Sequence, residues 1–178
     1  MLCSIIAARN GCEVFLYEKN EKLGKKLYIT GKGRCNVTNN CEVEDLLRAV
    51  MTNSKFLYSA FYTFNSQDMM ALLEETGVPL KTERGNRVFP QSDRSSDIIR
   101  GLERLMKKYG VHVRFRSEVR EILTKDGTAT GISLADGEVQ NADAVVVATG
   151  GLSYPTTGST GDGYRFAEET GHQVTDIM

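Results

Sequence analysis

The sequence predicts an α/β fold of the dinucleotide-binding kind, with helices packed on a parallel sheet, and two stretches carry that prediction. The first is Val14-Phe15-Leu16-Tyr17-Glu18, an apolar run closed by an acid and followed by a glycine- and lysine-rich block to Asn39. Successive apolar positions suit a parallel strand covered on both faces. An acid at the carboxyl end of such a strand suits a ribose hydroxyl, and glycines with cations nearby suit phosphates. The second is Ala144-Val145-Val146-Val147-Ala148, an apolar run ending in Thr149-Gly150-Gly151. Ligands of open α/β sheets lie outside the carboxyl ends of the strands, so Glu18 and Thr149-Gly150 are expected to face one crevice. The G-x-G-x-x-G turn that accompanies such an acid lies about 20 residues before it. That position falls upstream of Met1, so the chain reads as lacking the first strand and its glycine turn.

The remaining elements follow from periodicity and punctuation. Leu2, Ile5 and Ile6 at helical spacing predict a helix to Asn10, stopped by Gly11 and without a capping residue before it. Val43 to Val50, Phe56 to Phe61 and Met69 to Leu73 predict three short helices, a helical insertion over about 42–77. The aromatic positions Phe56, Tyr58, Phe61, Tyr62 and Phe64 are expected in the core rather than against a ligand. Gly85-Asn86 predicts a tight hairpin, and Ser95 is expected to cap a helix with apolar residues at Ile98, Ile99, Leu102, Leu105, Met106 and Tyr109, ending at Gly110. Val111 to Phe115 alternates as a strand. Beyond it, turns at Asp126-Gly127 and Asp136-Gly137 divide an antiparallel β-meander over about 117–140. Asp162 is expected to cap a last helix, Tyr164 to Thr170. No internal repeat or low-complexity tract interrupts this order.

Composition narrows the function classes. A chain of 178 residues, 40% hydrophobic, with 22 basic and 23 acidic residues fits one globular domain. Its balanced charge argues against an overall nucleic-acid or membrane binder, so neither partner is expected. Lys19, Lys22, Lys25, Lys26, Lys32 and Arg34 nevertheless crowd one stretch. A solvated face is one reading; their interleaving with glycines favours a phosphate-facing one. Cys3, Cys12, Cys35 and Cys41 lack C-x-x-C spacing and stand far from His112 and His172, so no metal site is expected and reduced cytoplasmic thiols are. The opening apolar stretch is too short to span a membrane. Gly24 to Gly33 does not match G-x-x-x-x-G-K-[ST], which rejects a P-loop nucleotide hydrolase or kinase.

The blocks GKKLYITGKGRCNVTN, RVFPQSDRSSDI, RSEV and ATGGLSYPTTGSTGDGY occur in this order along the chain. With them the chain resembles the aminoacetone-oxidase-like FAD-dependent oxidoreductases, a family that includes bile-acid enoyl reductases. The resemblance implies a glutathione-reductase-type, FAD/NAD(P)-binding Rossmann-like domain over 1–178, incomplete because the family's first strand, barrel domain and C-terminal flavin-contacting segment are not matched. It also implies a cofactor site of Glu18, Lys19, Lys26, Gly31, Lys32, Gly33, Arg34, Cys35, Asn36, Val119, Thr149 and Gly150. There Glu18 would bind the adenosine ribose, Lys26 and Arg34 would offset the pyrophosphate charge, and the Val119 backbone would meet adenine. Cys35 between cations invites a redox reading, but with no resolving thiol a packing role is expected. His172 reads as structural.

No catalytic acid or base is identifiable. That is compatible with an enzyme because flavin itself carries hydride chemistry. The expectation is an oxidoreductase passing hydride between flavin and either an unidentified small-molecule substrate or NAD(P)H, the candidate electron donor. The alternatives are a non-catalytic fragment of such a flavoprotein and an NAD-only dehydrogenase. The long block after Glu18 and the meander disfavour the latter.

Overall fold

Apolar periodicity and turn residues set the elements in chain order. They are α1 (Leu2–Arg9), β1 (Phe15–Glu18), α2 (Lys25–Ile29), β2 (Thr38–Asn39), α3 (Val43–Ala49), α4 (Tyr58–Thr63), α5 (Ser66–Glu75), β3 (Leu80–Glu83) and β4 (Arg87–Pro90). There follow α6 (Ser95–Lys108), β5 (His112–Phe115), β6 (Val119–Lys125), β7 (Thr128–Leu134), β8 (Val139–Asn141) and α7 (Asp162–Glu169). The computed structural model describes residues 1–176, so the last two positions of the domain expected over 1–178 lie outside the described residues. The strands form a parallel pair β1-β5 and two antiparallel sheets, β2-β4-β3 and β6-β7-β8. This is an α/β Rossmann-like architecture. The chain divides into one unit of Met1–Glu13 with Leu27–Val111 and a second of Val14–Lys26 with the segment from His112 onward.

In the first unit α6 supplies the main apolar face. Ile98, Ile99, Leu102, Leu105 and Met106 are buried while Arg100, Glu103, Arg104, Lys107 and Lys108 stay outside. Each such burial stabilises by about 1.5–3 kcal/mol. Gly101 lets α6 approach the end of α5, since a Cβ there would come within 2.5 Å of Thr76 Oγ1. The start of α5 is closed by a capping box in which Asn65 accepts from the Gln67 and Asp68 amides and Asp68 accepts from Asn65. The hairpin β3-β4 turns through Gly85 and Asn86, both at positive φ. Ser95 is not the cap of α6. Its buried hydroxyl donates to the Tyr28 carbonyl at 2.9 Å, and Arg94 occupies the capping position.

The aromatic cluster expected in the core is largely outside it. Phe56 is 80% exposed and Tyr58 55%, while Phe61 and Phe64 are half-buried. The helices α3 and α4 are short, and among the described residues no further layer covers that face. Tyr58 and Tyr62 pack on each other instead, and the Tyr62 hydroxyl donates to Glu44 at 2.6 Å.

In the second unit β1 pairs with β5 in register from Phe15 opposite His112 to Glu18 opposite Phe115. Phe15 is exposed and the rest of β1 half-buried, so the strand is not covered on both faces as expected. The meander turns at Asp126-Gly127, both at positive φ. Arg114 on β5 pairs with Glu138, its Nη2 standing 2.8 Å from Oε2. The clearest departure is Ala144–Ala148, which forms no strand; Val146 is 66% exposed. β1 uses one edge for β5, and among the described residues no neighbouring strand offers the apolar run a ladder. Asp162 opens α7 as its first residue, with Gly161 at the capping position, so its carboxylate is free for other partners.

Candidate functional site

The second unit gathers its candidate residues around the carboxyl end of β1. After Glu18 the chain turns back, and the Asn20 backbone amide and side-chain Nδ2 both donate to Glu18 Oε1, at 2.8 and 2.7 Å. Glu18 Oε2 takes no hydrogen bond among the described residues. Asn20 Nδ2 also donates to the Thr157 carbonyl at 3.2 Å, and Lys25 Nζ donates to Asn20 Oδ1 at 3.2 Å. The Glu18 and Asn20 carbonyls accept from the Ser117 and Arg116 amides, which ties the end of β1 to the link before Val119. There β6 begins, with a register shift between Val119 and Glu121.

The loop that follows Thr149-Gly150 folds back onto the loop that follows Glu18. Lys19 Nζ donates to Asp162 Oδ2 and Thr160 Oγ1, both at 2.6 Å. Lys26 Nζ donates to the Ser153 carbonyl and hydroxyl at 2.9 and 2.8 Å, and stands 4.3 Å from the centre of the Tyr154 ring. Burial would push the Asp162 carboxyl up, but the hydrogen bonds from Lys19 and Thr160 outweigh it and hold the group below the usual carboxylate range. Gly158 is required here: it has φ +98°, and a Cβ would sit 2.7 Å from Asn20 Nδ2. The structure thus brings Glu18, Lys19 and Lys26 together with the loop after Thr149-Gly150. It engages both lysines in closing that loop.

The first unit carries Gly31 to Asn36, which backs into the left-handed region four times, at Gly31 (φ 57°), Lys32 (58°), Gly33 (84°) and Cys35 (60°). For Lys32 and Cys35 that conformation costs about 1–3 kcal/mol each, so the surroundings must enforce it. Cys35 is fully buried and its amide donates to the Thr30 carbonyl at 3.0 Å. The Asn36 amide, with its nitrogen toward the carbonyls, donates to Val88 and Thr38 at 3.2 and 3.1 Å. A Cβ on Gly31 would stand 3.0 Å from the Asn36 amide nitrogen, whereas one on Gly33 would meet nothing within 4 Å. The Gly33 backbone and the exposed Lys32 side chain are open to a ligand.

Arg34, expected to offset pyrophosphate charge, is paired within its own unit. Its guanidinium lies 4.0 Å from the Phe89 ring centre, donates to Glu83 at 2.7 Å and pairs with Asp93 at 3.0 Å. Lys81 pairs with the same two carboxylates, at 2.6 Å to Asp93 and 3.3 Å to Glu83. The hydrogen bond with Glu83 raises the arginine pKa and holds the Glu83 carboxyl low. Arg34 acts on the loop it belongs to, its charge already compensated. Burial pushes the Cys35 thiol up, away from the thiolate a redox role needs. His172 follows α7, exposed, with its amide donating to the Ala167 carbonyl. No group of His, Cys, Asp or Glu among the described residues is placed to hold a metal ion. Asn20, Glu83, Asp93 and Asp162 are absent from the expected set; only Asn20, two residues from the acid, stood close enough in sequence to signal its part.

A family model described as the HI0933-like protein Rossmann domain matches residues 1–177. The chain belongs to that family. Its relatives include a 3-dehydro-bile acid delta(4,6)-reductase of Clostridium scindens, 29% identical over 180 residues, covering 100% of this chain and 43% of the relative. A ribosomal RNA dihydrouridine synthase of Escherichia coli is 33% identical over 174 residues, covering 98% and 42%. The chain therefore spans less than half the length of these relatives. Among solved structures, a flavocytochrome c3 fumarate reductase shares the fold with TM-score 0.64 at 23% identity, over 98% of this chain and 39% of that one. A 3-ketosteroid-delta4-(5alpha)-dehydrogenase of Rhodococcus jostii does so with TM-score 0.64 at 18% identity, over 85% and 43%. The family expected from the sequence blocks, bile-acid reductase included, is the one found.

Proposed function

We propose that this chain is the cofactor-binding part of an FAD-dependent oxidoreductase that passes hydride from NAD(P)H to an unsaturated organic substrate. The observation that carries the reading is Glu18 at the end of parallel strand β1, with one carboxylate oxygen fixed by Asn20 and the other without a hydrogen bond among the described residues. The residues fit the group: an acid with a free acceptor suits a ribose hydroxyl, and the Gly31-Lys32-Gly33 backbone, strained yet open at Gly33, suits an approaching polyphosphate. Glu18 would hold the adenosine ribose and Val119 the adenine, by its backbone. Thr149-Gly150 would line the rest of the site in the second unit, and in the first unit the loop from Gly31 to Asn36 carries Lys32, a cation able to face phosphate. Lys19 and Lys26 hold the loop after Gly150 closed, and Arg34 and Cys35 hold the glycine block in shape. When bound, the flavin supplies the hydride relay; the side chains described here bind and orient it.

A small molecule is the substrate class this reading favours, given the balanced charge of the chain. One observation favours RNA instead: the exposed face of α6 carries Arg100, Arg104, Lys107 and Lys108, and one relative's name is that of an enzyme acting on ribosomal RNA. Binding through that face would weaken steeply with salt. The experiment is an anaerobic titration of the full-length protein with NADH and NADPH. Bleaching of the flavin absorbance by one of them, and its recovery on adding an α,β-unsaturated ketone or a uridine-containing RNA, is expected. A bound flavin that neither nucleotide bleaches contradicts the assignment of the donor.

A further inference from the structure

Asn20 uses every polar group it has on one task. Its backbone amide and Nδ2 donate to the same oxygen of Glu18, Nδ2 also donates to the Thr157 carbonyl, Oδ1 accepts from Lys25, and its carbonyl accepts from the Arg116 amide. A glutamate has three side-chain torsions, and left alone it would sweep its carboxylate through many orientations at the mouth of the strand. Two donors on Oε1, at 2.8 and 2.7 Å, remove that freedom and fix which oxygen remains available. The anchor is itself held from three directions, by Lys25, by the Thr157 carbonyl and by the closeness of Gly158, where a Cβ would lie 2.7 Å from Nδ2.

We propose that Asn20 is a positioning residue that sets the Glu18 carboxylate so that Oε2 alone faces the ribose of a bound adenine dinucleotide. This rests on the FAD reading above. Asn20 touches no ligand in this account; it acts through Glu18, and it couples the acid to the loop of residues 153–161. Substituting it therefore affects ligands that carry the adenosine half and spares those that lack it.

The test uses the full-length protein stripped of flavin, with FAD and FMN as probes, in the wild type, Asn20→Ala, Glu18→Ala and the double variant. A charge-assisted hydrogen bond that loses its pre-set geometry loses part of its strength, so FAD is expected to bind Asn20→Ala about tenfold more weakly while FMN affinity stays within about twofold. In the Glu18→Ala background the Asn20 substitution should add almost nothing. Equal weakening of FAD and FMN, or an Asn20 effect that persists undiminished without Glu18, would overturn the proposal and leave Asn20 a loop-packing residue. If Asn20→Ala does not fold, Lys25→Met, which frees Oδ1 but keeps both donors on Glu18, takes its place with an expected loss of about threefold for FAD alone. Failure of the wild type to bind FAD would count against the FAD reading itself, and is seen before any variant is made.

Discussion

Glu18 commits one carboxylate oxygen to Asn20 and leaves the other without a hydrogen bond among the described residues, so its removal is informative. Glu18→Ala in the full-length protein is expected to weaken FAD binding by roughly 1.5–3 kcal/mol, the range for a hydrogen bond to a charged group. Equilibrium titration of flavin fluorescence measures it, with a thermal melt as a check on the fold. The acid was legible because its signal is local: an apolar run, then a carboxylate at its end. The pairing of Arg34 was not legible, for the opposite reason. A cation among glycines looks like a phosphate ligand until the fold supplies Glu83 and Asp93, which are distant in sequence and already compensate it. Likewise the charge of Lys26 is directed at Ser153 and Tyr154, a pairing set by long-range folding.

At the scale of elements, helices and hairpins marked by nearby punctuation were legible, as Gly85-Asn86 and Asp126-Gly127 illustrate. Elements defined by their neighbours were not. Among the described residues Ala144–Ala148 has strand composition but no ladder, and the faces of α3 and α4 have helical periodicity but no covering layer. Two predictions belong here. Gly131 in β7 lies so near the Gln140 backbone of β8 that a Cβ would stand 2.2 Å from its carbonyl oxygen. Gly131→Ala should therefore cost the meander about 1–3 kcal/mol, the range for overpacking, visible as a lowered Tm. The loop from Thr30 to Asn36 should also loosen in acid. Glu83 is held below its ordinary range by its hydrogen bond to Arg34, and Asp93 by its hydrogen bond to Lys81. A lowered carboxylate pKa stabilises the fold above the unfolded value and loses that contribution as pH falls through the folded one. Amide protection in this loop, corrected for intrinsic exchange, should hold from neutral pH down to about 5 and fall below about 4.

On the scale of the whole molecule, the chain places the acid, its two closing lysines, Val119 and Thr149-Gly150 in one unit and the strained glycine block in the other. Order along the sequence was enough to name the family, because its blocks are long and specific, and the match over residues 1–177 agrees. It was not enough to rank those residues by role, since role depends on which charges the fold has already paired. The role proposed for these residues is to bind FAD. It is tested most directly by purifying the full-length protein, recording its visible spectrum, and identifying what denaturation releases. A yellow protein that releases about one FAD per chain is expected; a colourless protein, or one that releases NAD and no flavin, would contradict FAD binding.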